Sequence, residues 1–325
     1  MIAWLLLFQI TAANADKLQR TVAAQEAKSA ILCLAFSPSA GLLASGEVDK
    51  KIRIYDTGTG RQTALLEGHT KQVCALAFTK DGSTLYSAGY DRTVRVWDVA
   101  SGTLKETQSG DSKRGIPGPS AEDLRTTFSR DATLLAFGDL LQVWDLTSKK
   151  LLRHESLSMR VWYAFDESDG TLVSIGASPR EPGVIRTFER WDPRANRTVE
   201  QWTGTPGASY ERISVSEDGA QMAVIDVGSD DNQWKLELWD LKAKRRASAP
   251  GFLENTVNGM VFTRDGSALA TASMDKKLKI WDVKEGKELA SFPQARGLKA
   301  LSLSADGARL ATADDTGEVQ IWGIK

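Results

Sequence analysis

The sequence predicts an all-β fold built from seven repeats, each contributing four antiparallel strands. Three observations predict it: a hairpin segment of constant length recurs seven times, each copy ends in an aromatic residue, and no helical periodicity follows residue 15. The 325 residues are 42% hydrophobic and 26% charged, as in soluble globular proteins. This composition excludes disordered, collagen-like and coiled-coil classes.

The recurring hairpin consists of an apolar strand, a polar turn with Asp-Gly or a close substitute, and a second apolar strand. The last apolar residues of the first strands are Phe36, Phe78, Phe128, Phe165, Val215, Phe262 and Leu303. The residues nine positions further on are Ser45, Ser87, Phe137, Ser174, Val224, Thr271 and Thr312. The first hairpin therefore has the same length in every copy.

Each copy then runs through a third strand to an aromatic residue, which Asp follows in six of the seven copies. These aromatic residues are Tyr55, Trp97, Trp144, Trp191, Trp239, Trp281 and Trp322, spaced 41 to 48 residues apart. A turn and a short fourth strand follow the first six of them. The repeat is thus a four-stranded unit that needs its neighbours to cover its faces.

These repeats resemble the WD-repeat (tryptophan–aspartate) family in length and in the Trp-Asp ending. The resemblance covers residues 17 to 325 and implies a seven-bladed β-propeller of four-stranded antiparallel blades. The second repeat matches the family's structural tetrad in full at His69, Ser87, Asp91 and Trp97. By resemblance, these side chains hydrogen-bond across the blade. No other repeat supplies the His, which predicts an incomplete or altered network elsewhere.

The last repeat stops at Trp322 to Lys325, directly after its third strand. An unused strand lies at about Gln19 to Ala24, upstream of the first repeat. We therefore expect the N-terminal strand to complete the seventh blade and close the ring, which removes an open sheet edge.

Residues 1–15, MIAWLLLFQITAANA, resemble a secretory signal peptide ending in a small-x-small cleavage site. No Lys or Arg precedes the apolar run, and a hydrophobic tail packed on the domain is the alternative. Residues 16–325 form the propeller domain. If the segment is cleaved, the protein is periplasmic or extracellular; otherwise it is cytoplasmic.

Three insertions depart from the regular repeat, and all are expected on one face of the propeller. They lie in the connections from the second to the third strand of blades four and five, and after the fourth strand of blade two. Loops on a rigid scaffold commonly carry recognition, although surface loops also tolerate length without function. The candidate partner-binding residues there are Lys113, Arg114, Arg180, Glu181, Asp230, Asp231 and Trp234.

A second group of candidates lies nearer the axis on the same face. Val48, Tyr90 and Met274 each stand just before the tetrad Asp position in a regular blade. In the family such positions often meet partners, and exposed apolar residues suit the centre of a contact. Packing between neighbouring loops is the alternative.

Catalytic and metal chemistry have no sequence motif to support them. Two Cys and two His are too few for a disulfide scaffold or a thiolate zinc site, and we expect no metal and no cofactor. The net charge of −1 argues against nucleic acid as a partner, and no segment is long enough to span a membrane. The basic run Lys242 to Arg246 is expected to protect an outer strand from edge pairing.

The sequence therefore predicts a monomeric, non-catalytic scaffold or adaptor that binds a protein or peptide through the loop-bearing face. The alternative is an exported protein that binds, or acts on, a small molecule or carbohydrate at the mouth of the central channel.

Overall fold

A computed structural model describes residues 9–24, 29–38, 41–109, 126–138, 141–154, 162–177, 186–227 and 234–324. A 3₁₀ helix, Ala12–Lys17, precedes strand β1 (Leu18–Ala24). Blade one comprises β2 (Ile31–Phe36), β3 (Leu42–Glu47), β4 (Ile52–Asp56) and β5 (Gln62–Leu66). Blade two comprises β6 (Val73–Phe78), β7 (Thr84–Gly89), β8 (Thr93–Asp98) and β9 (Leu104–Ser109).

The later blades repeat this order. Blade three comprises β10 (Thr126–Phe128), β11 (Leu134–Phe137), β12 (Gln142–Asp145) and β13 (Lys150–His154). Blade four comprises β14 (Trp162–Asp166), β15 (Thr171–Ala177), β16 (Arg186–Asp192) and β17 (Arg197–Thr203). Blade five comprises β18 (Tyr210–Val215), β19 (Gln221–Asp226), β20 (Trp234–Asp240) and β21 (Arg245–Leu253). Blade six comprises β22 (Val257–Phe262), β23 (Ala268–Ser273), β24 (Lys277–Asp282) and β25 (Lys287–Pro293), and blade seven contains β26 (Leu298–Leu303), β27 (Arg309–Asp314) and β28 (Val319–Ile324).

The seven sheets form a closed ring, which confirms the predicted seven-bladed propeller. Every blade is an antiparallel sheet of four strands in simple order. The first strand of each blade contacts the first strands of both neighbouring blades, and β2 contacts β6 on one side and β26 on the other. The first strands are therefore innermost, around the axis, and the fourth strands are outermost.

The N-terminal strand closes the ring as predicted. β1 pairs with β28 in the sheet order β1-β28-β27-β26, and its register runs from Leu18 opposite Ile324 to Ala24 opposite Val319. β1 also touches blade one, because a Cβ built on Gly60 would come within 2.6 Å of Val22 Cγ1. Gly60 has a φ of +73°, a conformation that favours glycine.

A side-chain lock fixes the length of the first hairpin in blades two, three, five, six and seven. In blade two, Thr79 Oγ1 donates to Asp81 Oδ1 (2.6 Å) and accepts the N–H of Thr84 (3.1 Å). Asp81 in turn accepts the N–H of Ser83 (3.1 Å), and these hydrogen bonds lower the pKa of its carboxyl to about 2. The same hydroxyl–Asp lock recurs at Ser129–Asp131, Ser216–Asp218, Thr263–Asp265 and Ser304–Asp306. Inserting a residue here would break several hydrogen bonds at once, which fixes the length.

The connections sort into two faces. We call the turn face the one that carries the hairpin turns between the first and second strands. The loop face carries the connections from second to third strands and from each fourth strand to the next blade. Because neighbouring strands are antiparallel, these two sets of connections lie at opposite ends of each blade.

Candidate functional site

The predicted insertions attach to the loop face. They lie between β15 and β16, between β19 and β20, and between β9 and β10. The candidates Lys113, Arg114, Arg180, Glu181, Asp230 and Asp231 all lie outside the described residues. Their involvement in binding stays a prediction.

Trp234 is the one insertion candidate that the structure describes. It is the first residue of β20 and pairs with Leu253 of β21, so it belongs to the strand rather than to the loop. Its ring is partly buried against the apolar cluster between blades five and six. Part of the Trp234 side chain therefore packs between the two blades and is not available to a partner.

Val48, Tyr90 and Met274 occupy one equivalent place in three blades. Each donates its N–H to the carbonyl of the residue just before the first strand of its own blade: Ala30 (3.0 Å), Gln72 (2.9 Å) and Thr256 (2.9 Å). All three side chains are partly exposed on the loop face. Met274 also lies against Gly297, where a Cβ would come within 2.8 Å of Met274 Cε, so packing between loops accounts for part of it.

Blade five supplies a fourth member of this set that sequence reasoning missed. Val227 donates its N–H to Ser209 O (2.8 Å) in the same way and is partly exposed. It stands three residues after Val224, just as Tyr90 stands three after Ser87, so repeat alignment alone could have found it. The loop face therefore carries apolar side chains at the same place in four blades.

The tetrad of blade two is a continuous hydrogen-bond chain. Trp97 Nε1 donates to Ser87 Oγ (2.9 Å), which lies 2.8 Å from His69 Nε2. His69 Nδ1 lies 2.9 Å from Asp91 Oδ2. With the proton on Nδ1, every donor in the chain has an acceptor. Burial opposes ionisation of Asp91, but hydrogen bonds from His69, Thr93 and the Thr70 N–H outweigh it and lower its pKa.

Blade five replaces the tetrad with a carboxylate. Val224 stands where blade two has Ser87, and Glu237 of β20, 1% exposed, accepts the Trp239 Nε1 hydrogen bond instead (3.1 Å). Glu237 also accepts from the Tyr210 hydroxyl (3.0 Å) and Arg246 Nη1 (2.8 Å). Arg246, from the basic run expected to protect an edge, thus pairs with a buried carboxylate. Lys244 of that run pairs with Glu200 of blade four (2.7 Å).

Blade one also uses a buried carboxylate. Glu47 has no solvent exposure, accepts the Ser45 hydroxyl (2.7 Å) and pairs with Arg53. Arg53 Nη2 also contacts Asp49 Oδ2 (3.1 Å). Burial raises the pKa of Glu47 to about 7, against the Ser45 hydrogen bond and the Arg53 charge.

The remaining tryptophans differ in what receives their indole N–H. Trp281 donates to Thr271 Oγ1 and Trp322 to Thr312 Oγ1, each at 3.0 Å. Trp144 of blade three has Phe137 in place of the hydroxyl residue, and its buried Nε1 has no acceptor among the described residues. As predicted, the network is not uniform. The tryptophan donates to a carboxylate in blade five and to a threonine hydroxyl in blades six and seven, and it has no acceptor among the described residues in blade three.

A cluster of charged side chains spans the ring at the turn face. Arg130 of blade three contacts Glu217 of blade five (2.6 Å) and donates to the carbonyl of Ala305 in blade seven (3.3 Å), although these blades are not neighbours. Arg264 of blade six donates to the same carbonyl (2.8 Å) and its Nε lies 3.7 Å from Glu217. Ion pairs thus cross the axis at this end of the channel.

Polar groups occupy the innermost strands at the start of blades five and six. The Arg212 guanidinium lies over the Trp162 ring, 5.4 Å from its centroid, and Arg212 Nη2 reaches Asn258 Oδ1 (3.4 Å). Arg212 has a φ of +66°, which is costly for a residue other than glycine. Asn258 Nδ2 donates to Leu298 O (2.9 Å).

Neither a metal centre nor a membrane helix is found in the part of the chain that the structure describes. No three or more His, Cys, Asp or Glu residues there converge as metal ligands would. No helix there has the length and apolar character needed to cross a bilayer. Cys33 and Cys74 are not joined by a disulfide.

The comparison with protein families agrees with this architecture. The WD40 model, described as WD domain, G-beta repeat, matches residues 17–56, 60–98 and 248–282. These segments include β1 and most of blades one, two and six, which are three of the four blades with regular spacing between the first hairpin strand and the aromatic residue. With the seven-bladed fold, the match confirms the WD-repeat resemblance.

Two curated fungal proteins are similar along most of the chain. Nuclear distribution protein nudF 1 of Talaromyces marneffei is 26% identical over 83% of this chain, and nuclear distribution protein PAC1 of Coccidioides posadasii is 26% identical over 80%. The aligned parts cover 61% and 59% of those two proteins. This chain therefore matches about three fifths of the length of these relatives.

Proposed function

We propose that this WD-repeat propeller is a monomeric, non-catalytic scaffold that binds a protein or peptide partner on its loop face. The observation that carries the proposal is the set of partly exposed apolar side chains Val48, Tyr90, Val227 and Met274. Their backbones are all held by the same hydrogen bond, so the side chains are presented without loop flexibility. Preorganised apolar anchors reduce the entropy cost of binding.

The two faces differ in a way that supports this choice. At the turn face the mouth of the channel is crossed by Arg130 and its ion pairs with Glu217. At the loop face, the apolar or aromatic side chains of Val48, Tyr90, Val227 and Met274 are presented near the axis, together with the polar Arg212 and Asn258, and the three insertions attach there. The common use of WD-repeat propellers as interaction scaffolds fits the proposal.

A quantitative pull-down from the native host tests the proposal. One bait is the wild-type chain, and the second carries Val48→Ala, Tyr90→Ala and Met274→Ala. A matched control bait carries Leu65→Ala, Leu104→Ala and Val199→Ala, which are exposed apolar residues (41–44%) on outermost strands. We expect a partner retained by wild type and control but lost from the loop-face variant. A partner lost only from the control would place the site on the rim and refute the proposal.

The insertions need a separate bait. Lys113, Arg114, Arg180 and Trp234 changed to Ala remove four of the candidate contacts at once. Loss of the same partner would extend the site over the insertions, whereas full retention would limit it to the region near the axis.

One observation favours the alternative, a small-molecule site at the channel mouth. Arg212, Trp162 and Asn258 bring a cation, an aromatic face and an amide together on the innermost strands. Such convergent polar groups suit a small anionic or hydroxylated ligand. A thermal-shift screen of carboxylates and sugars, with Asn258→Ala as the control, separates this function from the adaptor.

Export of the chain is also a proposal. Signal peptides are removed before folding, so a chain cut after Ala15 would lack the buried Ile10 and Ala15. Intact mass of the natively expressed protein tests this: a mass that includes residues 1–15 excludes cleavage there.

A further inference from the structure

Residues Gln9 to Lys17, which we call the N-terminal wedge, lie along the seam between blades six and seven. Ile10 has no exposed surface, and Ala15 and Leu18 are 1% and 2% exposed. They share one apolar cluster with Leu278 and Leu310 of the two blades. The wedge therefore contributes to the core, although it precedes the strand that closes the ring.

Directional hydrogen bonds fix the position of the wedge in this seam. The Ile10 N–H donates to Gly307 O (2.9 Å) in the turn of blade seven. The Ala12 N–H donates to Ser267 Oγ (2.9 Å) in the turn of blade six. One peptide segment thus binds a backbone carbonyl of one blade and a hydroxyl of the next, which holds the two blades together at the turn face.

The wedge is also preorganised by its own side chains. Asn14 Oδ1 accepts the N–H of Thr11 (2.8 Å), and Asn14 Nδ2 donates to Gln9 O (2.8 Å). These bonds tie Gln9 and Thr11 to the start of the short 3₁₀ helix Ala12–Lys17, so that Ile10 before the helix and Ala15 within it are both buried. Ala13, between them, is exposed.

The seam beneath the wedge has the properties of a peptide-binding groove. Its floor is apolar: Leu289 and Phe292 of β25 pack against the cluster, and the Phe292 ring lies 5.6 Å from that of Trp322 across the two blades. Its rim offers the Gly307 carbonyl and the Ser267 hydroxyl to a peptide backbone. An apolar floor with a few fixed polar groups is the usual composition of a site that recognises peptides.

We propose that the seam between blades six and seven is a peptide-binding groove occupied in cis by the chain's own N-terminal wedge. It recognises a large aliphatic residue followed by small residues two and five positions later, the pattern of Ile10, Ala12 and Ala15. Tethering gives the wedge a millimolar effective concentration, so a free segment of this pattern is excluded while the wedge is in place. A chain cut after Ala15 presents the groove empty.

The test uses the full chain with a buried or an exposed alanine changed to Asp. Ala15→Asp places a charge in the apolar seam and should release the wedge, whereas Ala13→Asp makes the same change at an exposed position. A fluorescent peptide with the sequence of residues 9–18 is titrated into each variant and into wild type. We expect it to bind Ala15→Asp about a hundredfold more tightly than the other two, because only that groove is vacated.

A peptide carrying Ile10→Asp controls for recognition and should not bind any variant. If Ala15→Asp fails to fold, as judged by circular dichroism, Ile10→Ala releases the wedge more mildly and replaces it. Equal binding of the peptide to all three chains, or to none of them when folded, would overturn the proposal. Loss of the partner in the loop-face pull-down is a separate result, since the groove opens at the turn face.

Discussion

In blade two the indole N–H of Trp97 ends a chain that passes through a hydroxyl and an imidazole to a carboxylate. In blade five the indole N–H of Trp239 meets a buried carboxylate directly, and a tyrosine and an arginine share that carboxylate. Both arrangements satisfy a buried donor, but they draw the acceptor from different strands, β7 in one case and β20 in the other. The acceptor for this tryptophan is therefore not tied to one residue type or to one strand.

The largest effect is expected from removing the acceptor in blade five. Glu237→Ala leaves the buried Trp239 N–H, the Tyr210 hydroxyl and Arg246 without their shared acceptor, at about 1–3 kcal/mol for each unpaired group. Because Arg246 is 46% exposed and can turn to water, the lower end applies. Urea unfolding of the variant, with the exposed Glu285→Ala as the surface control, measures the loss. A change under about 1 kcal/mol would mean that Glu237 is not the centre of the network.

The second prediction is a dependence of stability on pH, which a buried carboxyl group can cause and a buried hydroxyl cannot. Glu47 of blade one is such a carboxyl group. The pKa of Glu47 is raised to about 7 from its ordinary 4.5, so the folded protein binds a proton there that the unfolded chain releases. The stabilisation is complete below pH 4.5 and is lost as the pH rises through 7, in total up to about 3 kcal/mol. The difference in unfolding free energy between wild type and Glu47→Gln, measured from pH 5 to 8, should show this slope. A pH-independent difference would contradict it.

The smallest effect compares a satisfied indole with one that has no acceptor. Trp97→Phe removes the hydrogen bond that the buried Ser87 oxygen accepts, for a cost of about 1–3 kcal/mol beyond the lost volume. Trp144→Phe removes an N–H without an acceptor among the described residues, so only the volume term applies. Thermal denaturation of the two variants should rank Trp97→Phe as the more damaging. The opposite ranking would show that blade three has its own acceptor.

Strand number, blade order and ring closure were predictable because they rest on local patterns that recur. The Ser/Thr-x-Asp lock keeps the first hairpin constant in most blades, so copies such as Phe78–Ser87 and Leu303–Thr312 could be aligned by counting. The strand that pairs with β28 was identified by its absence from the last repeat and began one residue earlier than predicted, at Leu18.

The substitutes for the tetrad were not predictable, because they depend on side chains that approach each other only in three dimensions. Nothing in the spacing marks Glu237 as the acceptor for Trp239 or separates Arg246 from the rest of its basic run. The same holds for the ion pair between Arg130 of blade three and Glu217 of blade five, because blade four separates those two blades in the sequence and in the ring. A binding role for the insertion candidates outside the described residues stays a prediction. Val227, in contrast, could have been found by aligning the repeats.

The pairing of Leu18 with Ile324 joins residues about 300 positions apart. At a synthesis rate of about 5–20 residues per second, β1 and the wedge emerge from the ribosome roughly 15–60 seconds before β28 exists. For that interval an apolar segment and an unpaired strand are available to any neighbour, including another nascent copy. Ring closure therefore waits for the synthesis of β28, and the cellular yield of this protein should depend on how well the waiting N-terminal strand is shielded.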